Sequence, residues 1–331
     1  MAVSAELLDE PRVIHPGLPG VDRVFHGSTR SIAVLVLVIF GSIGVFLGYQ
    51  AIPTFHRYGL KFLTSHDWQP RLNQIGILST LIGTVEIALV ALIIAVPLAL
   101  GTALFISEYA PARLKSTLVS LIDLMAAVPS IIYGLWGALL LMPHAKFVAR
   151  WLHQNLGFIP IFKVDADPHA AVWAQSRYTS SAFIAGICVA MMVLPIACAV
   201  MRGVFAQAPL GEREAAYALG ATRWGMIRSV VLPFGRGGII GGTMLGLGRA
   251  LGETIAVLLI ISLAFDINFR ILQAGSSSIS ALIADRFGDA TTAQLAALLT
   301  AGFVLFVMTL LVNTIAAIFI GRSRSGAMTE I

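Results

Sequence analysis

The stretch Pro209-Leu-Gly-Glu-Arg-Glu214-Ala215-Ala216-Tyr-Ala-Leu-Gly220-Ala-Thr222-Arg-Trp-Gly-Met-Ile-Arg-Ser-Val-Val-Leu232-Pro233 is polar and punctuated, and it lies between two long apolar runs. It reads as a short helix, a break and a second short helix. Pro209 suits a first helical turn, where its missing N–H costs nothing. Glu212 and Glu214 favour the positive end of that helix. Gly220 is a natural stop, Thr222 can cap the next helix, and Pro233 ends it. A polar helical hairpin of this kind has a reason to exist when it docks on something; an ordinary amphipathic connector is the plain alternative.

Outward from this hairpin the chain is dominated by apolar runs. Of its 331 residues, 57% are hydrophobic and only 12% charged, about half the 25% usual for soluble domains. A membrane span needs about 20 apolar residues. Six runs qualify: Ser31–Ile52, Gly76–Phe105, Thr117–Leu141, Ser181–Met201, Gly237–Leu263 and Thr292–Ile320. The expected fold is therefore all-α and polytopic, with six transmembrane helices. The expected organisation is a tail over 1–30, a first helix and external loop over 31–75, a core over 76–321 carrying the hairpin at 208–233, and a tail over 322–331.

An even number of spans puts both termini on one side. Placing them in the cytoplasm gathers Arg12, Arg23, Arg30, Arg113, Lys115, Arg322 and Arg324 inside, with five Arg between spans four and five, in line with the excess of basic residues in cytoplasmic segments. The first 30 residues hold no apolar core of a signal peptide. The loop after span three contains Lys146-Phe-Val-Ala-Arg150-Trp151-Leu-His-Gln, which fits either an amphipathic helix at the membrane interface or a solvated loop helix. Cys188 and Cys198 would lie about 15 Å apart on one helix, beyond disulfide reach, so packing is their default role. The basic residues do not interleave with aromatics as in nucleic-acid binders, and the scattered histidines lack metal-ligand spacing.

Span five carries two charges, Arg249 and Glu253, where each costs about 2.5–3.5 kcal/mol on insertion scales. On a continuous helix they are four apart and share a face. Gly238, Gly242 and Gly246 fall with them on one stripe about 80° wide. Glycines at that spacing let another helix approach closely, so the charges are expected to face protein. They can form a self-satisfied pair that fixes packing. Alternatively, Arg249 offers a planar, permanently charged fork for a passing anion, with Glu253 holding it when the anion is absent. Glu86 in span two reads as packing or pore. Asp123 reads as a capping or contact residue. Pro97, Pro129 and Pro195 are expected to kink their helices.

Glu214-Ala215-Ala216, then Gly220 and Leu232-Pro233, resemble the Glu-Ala-Ala loop of binding-protein-dependent ABC importer permeases. Asp123-Leu-Met-Ala-Ala-Val-Pro129-Ser-Ile-Ile-Tyr133-Gly134-Leu-Trp136-Gly137 and Gly246-Leu-Gly-Arg249-Ala-Leu-Gly-Glu253-Thr-Ile-Ala-Val257 resemble the third and fifth spans of the C-type permeases of phosphate-specific importers. The resemblance covers about Gly76 to the C-terminus. It implies a type I ABC importer permease fold in a prokaryotic cell membrane. It also implies a non-catalytic transport subunit for inorganic phosphate, with the hairpin coupling it to a separate ATPase.

The partners implied are a homologous second permease subunit, an ATPase subunit dimer, an extracytoplasmic phosphate-binding protein and membrane lipid, with no nucleic acid. No nucleotide-binding Gly-x-x-x-x-Gly-Lys-Ser/Thr loop occurs, so ATP and Mg would be used by the partner ATPase and no cofactor bound here. The resemblance supports Arg249 and Glu253 as residues of the substrate pathway. Sulfate or molybdate permeation and ion-coupled secondary transport are the competing readings.

Overall fold

The computed structural model describes residues 20–165 and 176–321; the expected tails beyond them, with Arg12, Arg322 and Arg324, lie outside this range. The chain divides into units of residues 1–46 and 47–331. The described part of the first is the beginning of helix α1 (Gly20–Tyr58), whose side chains from Ile32 to Phe46 are largely exposed all round. Such a surface suits hydrocarbon rather than water.

Among the described residues the second unit holds the rest of α1, a single helical turn at Lys61–Thr64 and ten longer helices. These are α2 (Leu78–Leu104), α3 (Ala112–Ala127), α4 (Ser130–Leu156), α5 (Ala182–Phe205), α6 (Leu210–Ala218), α7 (Arg223–Phe234), α8 (Arg236–Leu251), α9 (Ile255–Ile260), α10 (Ile279–Arg286) and α11 (Thr292–Gly321). A π-helical turn, Phe105–Tyr109, prolongs α2. The only sheet among the described residues is a two-stranded antiparallel ribbon, β1 (Trp68–Gln69) with β2 (Gln74–Ile75). Among the described residues five helices are long and apolar enough to span a membrane, and α7 with α8, bent by 65° at their junction, counts as a sixth when the pair is taken as one span.

α5 lies at the centre. Ser181 caps it, accepting from the Ile184 N–H at 3.5 Å. Its small residues Ala185, Gly186, Ala190 and Ala197 are buried and let α2 and α8 close in. Gly186 shows why size matters: a Cβ there would lie 2.4 Å from a Val90 methyl on α2. Cys188 and Cys198 are free and buried on this helix, and the Cys188 thiol donates to the Tyr133 carbonyl at 3.1 Å.

Three expectations need correction. Span three is not one helix over Thr117–Leu141. It breaks at Val128–Pro129, where both residues take extended backbone, and then runs unbroken from Ser130 to Leu156. The residue before a proline is disfavoured in the α region, which explains the break. The Lys146–Arg150 segment is thus the far end of a span, with Phe147 and Trp151 exposed on it. Pro97 and Pro195, by contrast, sit inside unbroken helices.

Span five also breaks. α8 ends at Leu251, Gly252 to Thr254 are not helical, and α9 covers only Ile255–Ile260. The Thr254 hydroxyl donates to the Gly252 carbonyl at 3.2 Å, and the Ser280 hydroxyl takes the Glu253 carbonyl at 2.6 Å. Both carbonyls are thereby engaged by side chains that compete with helical hydrogen bonding. The chain then returns as a non-helical strap to Ser278, which caps α10 by accepting from the Ala281 N–H at 3.2 Å. This strap packs so closely on α2 that a Cβ on Gly83 would lie 2.0 Å from the Ser277 carbonyl oxygen.

Candidate functional site: the hairpin and the broken fifth span

At one end of the bundle α6 and α7 form the hairpin. Gly220 has φ of 81°, a left-handed conformation that costs a residue with a Cβ about 1–2 kcal/mol. Thr222 accepts from the Gly225 N–H at 3.1 Å and starts α7. Pro209 occupies the position just before α6, one residue earlier than the expected first turn. Leu232 and Pro233 lie at the end of α7, where the chain turns through 65° into α8. Glu214 and Ala215 are exposed on α6, whereas Ala216 packs inward. Leu210, Tyr217, Leu219 and Trp224 are exposed too, Leu219 at 89%. Apolar groups clustered on a polar hairpin mark a contact surface.

What holds this hairpin is a contact that no local sequence signal marks. Arg213 Nη1 donates to Glu108 Oε2 at 3.0 Å, and Arg213 Nη2 donates to the Phe205 carbonyl at 2.7 Å. One guanidinium therefore ties α6 to the end of span two and the end of span four. Arg223 lies over the Tyr109 ring at 5.3 Å. Asp123 lies inside α3, not at its start, and faces Arg202 at 3.9 Å.

At the break in span five the expected residues separate. Gly238, Gly242 and Gly246 do face a neighbouring helix. A Cβ on Gly238 would lie 2.6 Å from Val204, one on Gly242 2.9 Å from the Ala197 carbonyl oxygen, and one on Gly246 2.6 Å from Val193, all on α5. Arg249 does not share that burial: it is exposed, while its neighbour Ala250 is buried. The contact follows the four-residue ridge Gly238–Gly242–Gly246–Ala250, which rotates about 40° per step, so Arg249 stands about 100° from it at the end. Arg249 falls in the last turn of α8, where the negative end of the helix dipole favours a cation.

No ion pair joins Arg249 to Glu253 among the described residues. Glu253 lies in the non-helical break, 7% exposed, and so shares no helix face with Arg249. Arg249 instead opens into a cavity of about 680 Å³ whose walls include Leu245, Gly252, Leu305, Phe306, Thr309 and Asn313. Glu86 is half-buried on α2 and makes no ion pair among the described residues.

The family described as binding-protein-dependent transport system inner membrane component matches residues 95–325. The chain belongs to this family. It is 36% identical over 303 residues to the phosphate transport system permease protein PstC of Pasteurella multocida, covering 91% of this chain and 92% of that one. It is 39% identical over 304 residues to PstC 2 of Mycobacterium tuberculosis, covering 91% and 90%. For the PstC of Mesorhizobium japonicum the identity is 38% over 320 residues, covering 92% of each chain. Among solved structures, a bacterial ABC transporter involved in import of the acidic polysaccharide alginate aligns with a TM-score of 0.50 at 18% identity, covering 91% of this chain and 99% of that one. That similarity carries the fold alone. Within the family's frame this chain is a multi-pass transport subunit, all-α, with the type I ABC importer permease fold.

Proposed function

We propose that this chain is the membrane-spanning permease subunit of an ATP-driven importer of inorganic phosphate, and that Arg249 is its anion contact. The observation that carries the assignment is the placement of Arg249: a permanent charge, without an acidic partner among the described residues, opening into a cavity where a span is broken. Helices broken at membrane depth are tolerated where they line a cavity. An unpaired guanidinium there is costly unless an anion visits it, and its fork matches phosphate oxygens. The 36–39% identity to phosphate transport permeases over most of the chain supports the choice of phosphate.

Glu253 cannot bind the anion without repulsion, so we assign it to the shape of the break. The pathway is completed by a second, homologous permease placed against the exposed side of α8. A single Arg from each subunit suits a site that must also release its cargo. High-affinity capture then falls to an extracytoplasmic binding protein. The hairpin, with Glu214, Ala215, Ala216 and Gly220 at its turn and Leu232 and Pro233 at its far end, docks on a separate ATPase chain, which binds ATP and Mg. Both termini lie on the hairpin's side of the membrane, the cytoplasm. The test is phosphate uptake by the reconstituted complex with Arg249→Ala. Uptake is expected to vanish while the complex assembles, and uptake at the wild-type rate contradicts the assignment.

A further inference from the structure

Arg249 is not alone in its cavity. Asn313 enters it from α11, as the twenty-second residue of a helix that is mostly apolar and carries no charge. Its side chain rests over Gly248: a Cβ on that glycine would lie 3.4 Å from Asn313 Oδ1 and 3.8 Å from Nδ2. The amide thus lies beside the residue next to Arg249 on α8. Thr309, one turn earlier on the same face of α11, lines the cavity as well. Its hydroxyl donates to the Phe306 carbonyl at 2.9 Å, which leaves its oxygen as an acceptor toward the cavity. Asn313 is exposed and makes no hydrogen bond among the described residues. A primary amide inside an apolar span is costly without a partner. The remaining wall here is apolar, from Leu245, Leu305 and Phe306.

We infer that Asn313 is a second substrate-contacting residue of the phosphate path, facing the same anion as Arg249. The inference rests on the assignment of Arg249 to that path. The chemistry of the cargo supports it. Hydrogen phosphate carries acceptor oxygens and one P–OH donor. A guanidinium has five donors and no acceptor, so Arg249 can satisfy the oxygens but not the hydroxyl. The amide of Asn313 has both functions: Nδ2 donates to a phosphate oxygen and Oδ1 accepts from the P–OH. An apolar wall with a few convergent polar groups is how small ligands are oriented. A site that hydrogen-bonds a substrate hydroxyl rejects a ligand lacking one, so Asn313 would favour a protonated oxyanion over a fully ionised one.

The experiment measures uptake of radiolabelled phosphate into proteoliposomes holding the complete transporter, with its binding protein outside and ATP inside. Asn313→Asp is the decisive variant because it keeps the shape that rests on Gly248 while replacing the amide donor with a repelling carboxylate. Loss of a hydrogen bond to a charged ligand predicts uptake lower by about tenfold or more, with the complex still co-purifying. A residue that merely packs α11 on α8 would transport normally as Asp, and that result overturns the inference. If the Asp variant does not assemble, Asn313→Leu, which suits an apolar span, replaces it with the same expected loss and the same contradicting result. Arg249→Ala is run beside them. Its loss together with wild-type uptake in the Asn313 variant overturns this inference alone, whereas wild-type uptake in Arg249→Ala contradicts the path itself.

Discussion

Arg213 on the hairpin helix α6 reaches Glu108 at the end of span two, 105 positions earlier, in a 3.0 Å hydrogen-bonded ion pair. The Glu108 side chain is only 4% exposed and that of Arg213 18%. The same guanidinium donates to the last carbonyl of α5, that of Phe205. A push on α6 therefore reaches spans two and four directly, through short charge-assisted bonds. The hairpin's exposed surface and its anchor lie on the same helix, which is the arrangement a lever requires.

Removing one member of a buried pair strands the other, at a cost of about 3–5 kcal/mol. Arg213→Ala is expected to lower the thermal midpoint of the detergent-solubilised complex and to weaken its coupling to the ATPase. Adding Glu108→Ala should recover part of the loss. A double-mutant cycle on the unfolding midpoint checks this, and additive effects would mean that the two residues act independently.

The glycine ridge makes a graded prediction. Alanine at Gly238, Gly242 or Gly246 would overpack the contact with α5, for which about 1–3 kcal/mol is typical. Gly238→Ala, which meets the Val204 Cβ at 2.6 Å, and Gly242→Ala, which meets the Ala197 carbonyl oxygen at 2.9 Å, should be more damaging than Gly246→Ala, which meets a Val193 methyl that can turn. Alanine at Gly101, which has nothing within 4 Å, should be neutral or slightly stabilising. The ranking of unfolding midpoints in detergent is the readout.

Gly220 has open space around it but a positive φ, so its constraint is conformational. Gly220→Ala should destabilise the turn by about 1–2 kcal/mol and displace α6 from α7. Phosphate-stimulated ATPase activity of the complex should fall while global stability changes little. Stimulation at the wild-type level would remove the turn from the coupling route.

Pro129 cannot give the Met125 carbonyl the N–H that a continuing helix would supply. The Tyr133 hydroxyl takes its place, donating to that carbonyl at 2.9 Å. Tyr133→Phe leaves mainly the long 3.4 Å contact from the Val128 N–H and should cost about 1 kcal/mol, seen as faster hydrogen exchange around Met125 to Ser130.

The parts of this fold set by local chemistry were readable in the chain. The apolar runs located spans one, two, four and six, and the Pro209, Gly220 and Thr222 punctuation located the hairpin. What escaped was set by residues far apart. Leu251-Gly252-Glu253-Thr254 lies within an apolar run that reads as continuous helix; the hydroxyl that takes the Glu253 carbonyl comes from Ser280, on another segment. That break undid the expected Arg249–Glu253 pair. The Glu108–Arg213 tie is likewise invisible locally, since each charge alone reads as an ordinary residue at a span end. Burial of the glycine ridge was legible from its spacing. The exposure of Arg249 was not, because it depends on the drift of that ridge along α5.

Arg249 is assigned here as the residue that contacts the anion as it crosses. Uptake of radiolabelled phosphate by the complete reconstituted transporter tests it most directly, comparing wild type, Arg249→Ala and Arg249→Lys, each confirmed to assemble with its ATPase. Loss of uptake is expected in the Ala variant and partial retention with Lys, which keeps the charge but not the fork. Wild-type uptake in an assembled Arg249→Ala complex would contradict it.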